Sequence, residues 1–225
     1  MPAAQRGDAP PVLVAQRPVL RGWLHVVAFA AVMVAGPLLI ARAPDAGAGV
    51  VLTVYVLSLL ALFGVSAAFH RVRWSPAARR RMRRADHATI FVAIAGTYTA
   101  VAGLALHGWA LALVLSLVWV GGAAGVALRQ LWLDAPKWAV AVPYVVVGWS
   151  ALAVIPQLLR SLGGAGFALL VAGGATYTLG ALCYALRRPN PVPRVFGYHE
   201  VFHACTVVGA ALHFVVVAGY ALPRA

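Results

Sequence analysis

Charge is scarce in this sequence, and acid is scarcer still. Only 10% of the 225 residues are charged, and just five are acidic: Asp8, Asp45, Asp86, Asp134 and Glu200. Soluble domains carry roughly 25% charged residues, so this chain lacks the polar surface to cover itself in water. That excludes a soluble globular enzyme. Cysteine is limited to Cys183 and Cys205, both within apolar runs, so no disulfide framework is expected. Strict alternation of apolar and polar positions, the mark of an outer-membrane barrel, is also missing. What the chain has in abundance is apolar residues, 63% of the total, in long unbroken runs. Disorder requires the opposite composition. The fold class is all-α and the chain is an integral membrane protein.

A bilayer core about 30 Å thick is crossed by about 20 apolar residues in a helix. Stretches free of Asp, Glu, Lys and Arg cover 22–40, 49–69, 88–106, 109–128, 138–155, 166–186 and 201–222. Seven transmembrane helices are therefore expected within a single domain, 20–225. The proline-rich segment 1–19 reads as a disordered cytoplasmic tail. The first span has no small-residue cleavage site close behind it and is read as retained.

Basic residues orient the bundle. If seven spans alternate, fifteen of the eighteen Lys and Arg residues fall on the side of the N-terminus, seven of them between spans two and three. Only Arg42, Arg160 and Arg224 fall on the other side. By the positive-inside bias the N-terminus is cytoplasmic and the C-terminus outside, as in a multi-pass protein of the inner (plasma) membrane. The net charge of +13 then reflects topology and attraction to anionic headgroups, and nucleic acid is not an expected partner. Ser75 can cap a helix that starts at Pro76, giving a basic turn on the membrane that leads into span three.

The same topology gathers the ionisable residues. Span two ends with Ser66 and His70; span three starts beside Asp86; span seven starts beside His199, Glu200 and His203. Three distant segments thus bring Ser66, His70, Asp86, His199 and His203 to one depth near the cytoplasmic face. Ser66 and His70 are spaced i, i+4, as are His199 and His203, so each pair shares a helix face. Such a histidine pair can hold one metal ion. His70 from a neighbouring helix completes three imidazoles with a fourth position open, the pattern of a catalytic zinc site. His25, His87 and His107 read as interfacial anchors. His213 lies roughly 20 Å beyond His199 by the helical rise, too far to share the ion, though it can line a cavity.

These residues carry a resemblance. Ser66-Ala67-Ala68-Phe69-His70-Arg71-Val72, Asp86-His87 leading to Ala95-Gly96-Thr97-Tyr98-Thr99, and Gly197-Tyr198-His199-Glu200-Val201-Phe202-His203 resemble the hemolysin III family. That family is grouped with the progestin and adiponectin receptors and, more distantly, with the alkaline ceramidases. Arg21-Gly22-Trp23-Leu24-His25 fits its opening, and the likeness covers nearly the whole chain. The resemblance implies seven helices, Zn2+ held by His70, His199 and His203, the position of Asp86 near water at the metal, and Ser66 beside the site.

The resulting expectation is a zinc-dependent hydrolase of a lipid amide or ester, ceramidase-like, with an N-acyl lipid as first-choice substrate. Asp86 would accept a proton from the attacking water, and Ser66 would bond the substrate or Asp86. The alternative is a non-enzymatic membrane protein, pore-forming and cytolytic as the family name implies, or receptor-like, in which zinc only staples helices. A third reading follows from His199-Glu200-Val201-Phe202-His203, which matches the H-E-x-x-H signature of zinc proteases with Glu as base.

Overall fold

A computed structural model describes residues 18–132 and 134–225; the expected disordered tail, 1–19, lies outside them as far as residue 17. The chain builds α1 (Trp23–Ile40), α2 (Ala46–Arg71), α3 (Pro76–Ala105), α4 (Gly108–Leu131), α5 (Lys137–Gly148), α6 (Ile155–Leu186) and α7 (Tyr198–Val216). Short 3-10 segments follow α5 and end the chain. Among the described residues the only β pairing is one isolated bridge, Val192 with Phe196. The all-α membrane architecture expected from composition is what the chain adopts.

Sequence chemistry sets the helix ends. The Asp45 carboxylate accepts from the Ala48 amide at 2.8 Å and opens α2. Ser75 accepts from the Ala78 amide at 3.4 Å with Pro76 in the first turn, opening α3. The run Arg79–Arg84 is therefore the first part of α3 itself, continuous with the span, and not a separate turn lying on the membrane.

Among the described residues six helices are long and apolar enough to cross a bilayer, against seven expected. The difference lies between Lys137 and Leu186, which form one such unit. Within it α5 carries Pro143, gives way to a 3-10 turn at Ser150–Val154, and the helix that follows is non-helical at Gly163 (φ 71°, ψ 172°). Lys137 sits beside Tyr184 and Tyr198, whereas the Leu162 carbonyl accepts from Arg224 in the 3-10 turn that ends the chain beyond α7. The chain therefore runs the length of the bundle, reverses at Gly163 and returns as the rest of α6, packed against α7. A positive φ is cheap only for glycine. The break after Gly148 leaves backbone groups that lipid cannot satisfy. Tyr98 meets both needs: its hydroxyl donates to the Gly148 carbonyl at 2.6 Å and accepts from the Ala151 amide at 3.0 Å.

Helix α2 supplies much of the core. Leu52, Tyr55, Val56, Leu59, Leu62 and Phe63 are all buried in the core. Small residues let helices close on one another, as membrane packing favours: a Cβ at Gly125 would lie 2.1 Å from the Phe91 ring, and one at Gly173 would lie 2.3 Å from the His213 ring. Outer faces carry exposed apolar side chains such as Val27, Val34, Val120 and Val146, which belong against lipid tails. One end of the bundle is basic. There the Val19 and Leu20 amides donate to the carbonyls of Arg194 and Val195, and Arg83 pairs with Asp134 at 3.0 Å.

Candidate metal centre and its cavity

The first turn of α7 is fixed before its histidines are placed. One Glu200 carboxylate oxygen accepts from the Gly197 amide at 2.9 Å, and the other takes the Arg21 guanidinium. Glu200 is 1% exposed. With the turn held this way, His199 and His203 face the end of α2. His70 is set by α1: Gly22, in the left-handed conformation (φ 84°), lies so close that a Cβ there would be 2.7 Å from the His70 Cβ.

Ligand atoms of His70, His199 and His203 lie within 4.8 Å of one another. The Nε2 atoms of His70 and His199 are 3.2 Å apart. Tetrahedral zinc with Zn–N of about 2.0–2.1 Å sets its ligand nitrogens about 3.3 Å apart, so the His70–His199 pair stands at that spacing and the third donor lies within 4.8 Å of both. Neutral ring nitrogens crowded away from water also need a shared partner. The three imidazoles form a centre that can hold a metal.

Asp86 and Ser66 stand in the wall of the same cavity. The Ser66 hydroxyl bonds the Asp86 carboxylate, and both residues are buried. The cavity, counted with its open mouth, spans about 530 Å³ and is lined by His25, Ser66, Asp86, His87, His199 and His203 among others. It shares Leu62, Ile90, Tyr144, Ala181, Phe202 and Thr206 with a second, mostly apolar hollow of about 750 Å³ that reaches His213. Lys137 guards the nearby surface, donating to the Tyr198 hydroxyl while lying over the Tyr184 and Tyr198 rings at 4.4 and 3.9 Å.

Two histidines read as interfacial anchors are not anchors. His25 is 2% exposed, stacks flat on His203 and meets Phe63 edge-on. His87 lines the cavity with its Nδ1 2.6 Å from an Arg129 guanidinium nitrogen. Sequence spacing alone could not tell which way a lone histidine at a span end turns. His107 is exposed and precedes α4 at the opposite end, as an interfacial residue should. His213 bonds the Leu170 carbonyl at 3.1 Å, well away from the three-histidine centre. Glu200, the base in the protease reading, already spends both oxygens on the helix cap and on Arg21.

The sequence profile described as Haemolysin-III related matches residues 13–214. This chain belongs to the haemolysin-III family. It is 31% identical to Hemolysin-3 of Bacillus cereus over 183 residues, covering 80% of this chain and 79% of that one. Against the Hemolysin-3 homolog of Bacillus subtilis (strain 168) it is 29% identical over 168 residues, 75% and 76% of the two chains. This haemolysin-III protein is a multi-pass membrane protein whose matched region takes in the cluster of His70, His199 and His203, which can bind a metal.

Proposed function

We propose that this haemolysin-III protein hydrolyses a lipid amide or ester, an N-acyl lipid first, using Zn2+ held by His70, His199 and His203. The observation that carries the proposal is the meeting of those three imidazoles beside a cavity that His199 and His203 line and that also holds the buried Ser66–Asp86 pair. Zinc there would supply Lewis acidity, drawing the pKa of water down to about 7 and polarising a carbonyl. Asp86 accepts the proton of the attacking water at a carboxylate oxygen and returns it to the leaving group, as a positioned general base and acid does. Ser66 keeps that carboxylate turned toward the cavity. The adjoining apolar hollow receives an acyl chain and excludes water from the reacting carbonyl. Basic residues of the first turns of α3 and of the α6–α7 connection bind anionic headgroups at the same end, which the positive-inside bias makes cytoplasmic.

The test is turnover of an N-acylated sphingoid base by the purified, zinc-loaded protein, set against Asp86→Ala with its zinc content measured. Turnover by the wild type, lost in Asp86→Ala while zinc stays bound, is expected. A zinc-loaded wild type that releases no fatty acid from amide or ester lipids would leave the ion as a staple between helices. Lysis, the activity in the names of the two Bacillus relatives, would then be the function to assay.

A further inference from the structure

Helix α3 brings a second polar side chain to the cavity directly after Asp86. His87 lines the same hollow, and its surroundings determine which of its ring nitrogens carries hydrogen. Nδ1 lies 2.6 Å from an Arg129 guanidinium nitrogen. A guanidinium is always charged and can only donate, so Nδ1 must accept. In the neutral ring the hydrogen is then on Nε2. The backbone of the same residue is held as well, because the Tyr144 hydroxyl donates to the His87 carbonyl at 3.0 Å. Arg129 is itself 1% exposed and also donates to the Trp132 carbonyl at 2.9 Å. Burying a guanidinium is costly unless its hydrogen bonds are made. Here one of them goes to an imidazole that faces a cavity.

The geometry points to a further catalytic residue: His87, fixed as the Nε2–H tautomer, donates a hydrogen bond to the carbonyl oxygen of the lipid, and Arg129 is its positioning residue. This rests on the hydrolase reading above. Negative charge grows on that oxygen as water attacks, so a donor held in place by the fold stabilises the transition state more than the ground state. Asp86 and His87 then divide the work within one turn of α3. The carboxylate moves protons, and the imidazole holds the oxygen without giving up its hydrogen. No proton leaves His87, so the step adds no reactant.

The test uses the zinc-loaded full chain in lipid nanodiscs, with histidine labelled by nitrogen-15. Spectra of the wild type should assign hydrogen to Nε2 of His87 and a bare lone pair to Nδ1. The Nδ1–H tautomer, or a ring protonated at both nitrogens at neutral pH, would overturn the assignment. In turnover of an N-acylated sphingoid base, His87→Phe should lower kcat about 100-fold with KM within about threefold and zinc content unchanged. Loss of one such donor typically costs a factor of 10²–10³. His87→Gln restores an N–H donor and an acceptor for Arg129, so it should stay within about tenfold of wild type. Arg129→Met should mix the two tautomers and lower kcat about tenfold; should it fail to fold, Arg129→Lys keeps the buried charge and a donor. Wild-type turnover that His87→Phe leaves within twofold overturns the role of His87 alone. Absence of wild-type turnover overturns the hydrolase reading and this role with it.

Discussion

The imidazole of His25 lies flat on that of His203, with ring centroids 3.9 Å apart and planes 4° from parallel. One ring comes from the start of α1 and the other from the candidate metal centre on α7. The Phe63 edge meets His25 from α2, with centroids 5.2 Å apart. His203 is thereby held from behind while its ring meets His70 and His199 in front. Both nitrogens of His25 are buried with no hydrogen-bond partner among the described residues, so the ring face is what it offers to the site.

That relationship predicts a difference between two substitutions. His25→Phe keeps a flat ring against His203 and should retain zinc affinity within about threefold. His25→Ala frees the His203 ring to turn and should weaken zinc binding about tenfold, at the lower end of what supporting groups around a metal contribute. Competition against a fluorescent chelator measures both. Equal loss in the two variants would show that the nitrogens of His25, and not its face, matter to the centre.

Gly22 makes a sharper prediction. Its φ of 84° disfavours any other residue, and a Cβ would come within 2.7 Å of the His70 Cβ. Gly22→Ala should cost about 1–2 kcal/mol from the left-handed backbone, and the displaced His70 should lower zinc occupancy. Thermal unfolding and metal analysis of the purified variant test the two effects separately. A variant with a wild-type melting temperature and full zinc content would refute both.

Glu200 and Asp86 should separate by what they damage. Glu200 caps α7 and pairs with Arg21, so Glu200→Gln should lower stability by about 1–3 kcal/mol while turnover per zinc-loaded molecule stays within about tenfold. Asp86→Asn should retain zinc and stability and lose turnover by at least about 100-fold. The reverse pattern, with Glu200→Gln inactive and Asp86→Asn active, would restore the H-E-x-x-H protease reading.

Much of this arrangement is legible in the sequence because it follows from two periodicities. Apolar runs of bilayer length set the order of the helices, and i, i+4 spacing puts Ser66 with His70 and His199 with His203 on shared faces. The parts that are not legible depend on contacts between segments. His25 and His87 each stand alone at a span end, where rotation of the helix decides between lipid and cavity. Gly22 against His70 settles the first, and Arg129 on α4 settles the second. The break between Gly148 and Ile155 is hidden in a continuous apolar run, because the residue that compensates it is Tyr98 on another helix. Pro143 and Gly163 were the local signals that this stretch does not run as a plain helix.

Removing the metal should loosen the molecule as well as silence it. His70 comes from α2, and His199 and His203 come from α7, so an ion shared among them joins two helices that are distant in sequence. A ligand present at 100 times its Kd stabilises the folded state by about 2.7 kcal/mol. For a chain of this size that corresponds to roughly 5–10 °C in melting temperature. A strong chelator should therefore lower Tm by about that amount, and added zinc should restore it. His203→Ala should melt near the stripped wild type and should not respond to either treatment. An unchanged Tm on stripping, with metal loss confirmed by elemental analysis, would mean that packing alone holds the ends of α2 and α7 together.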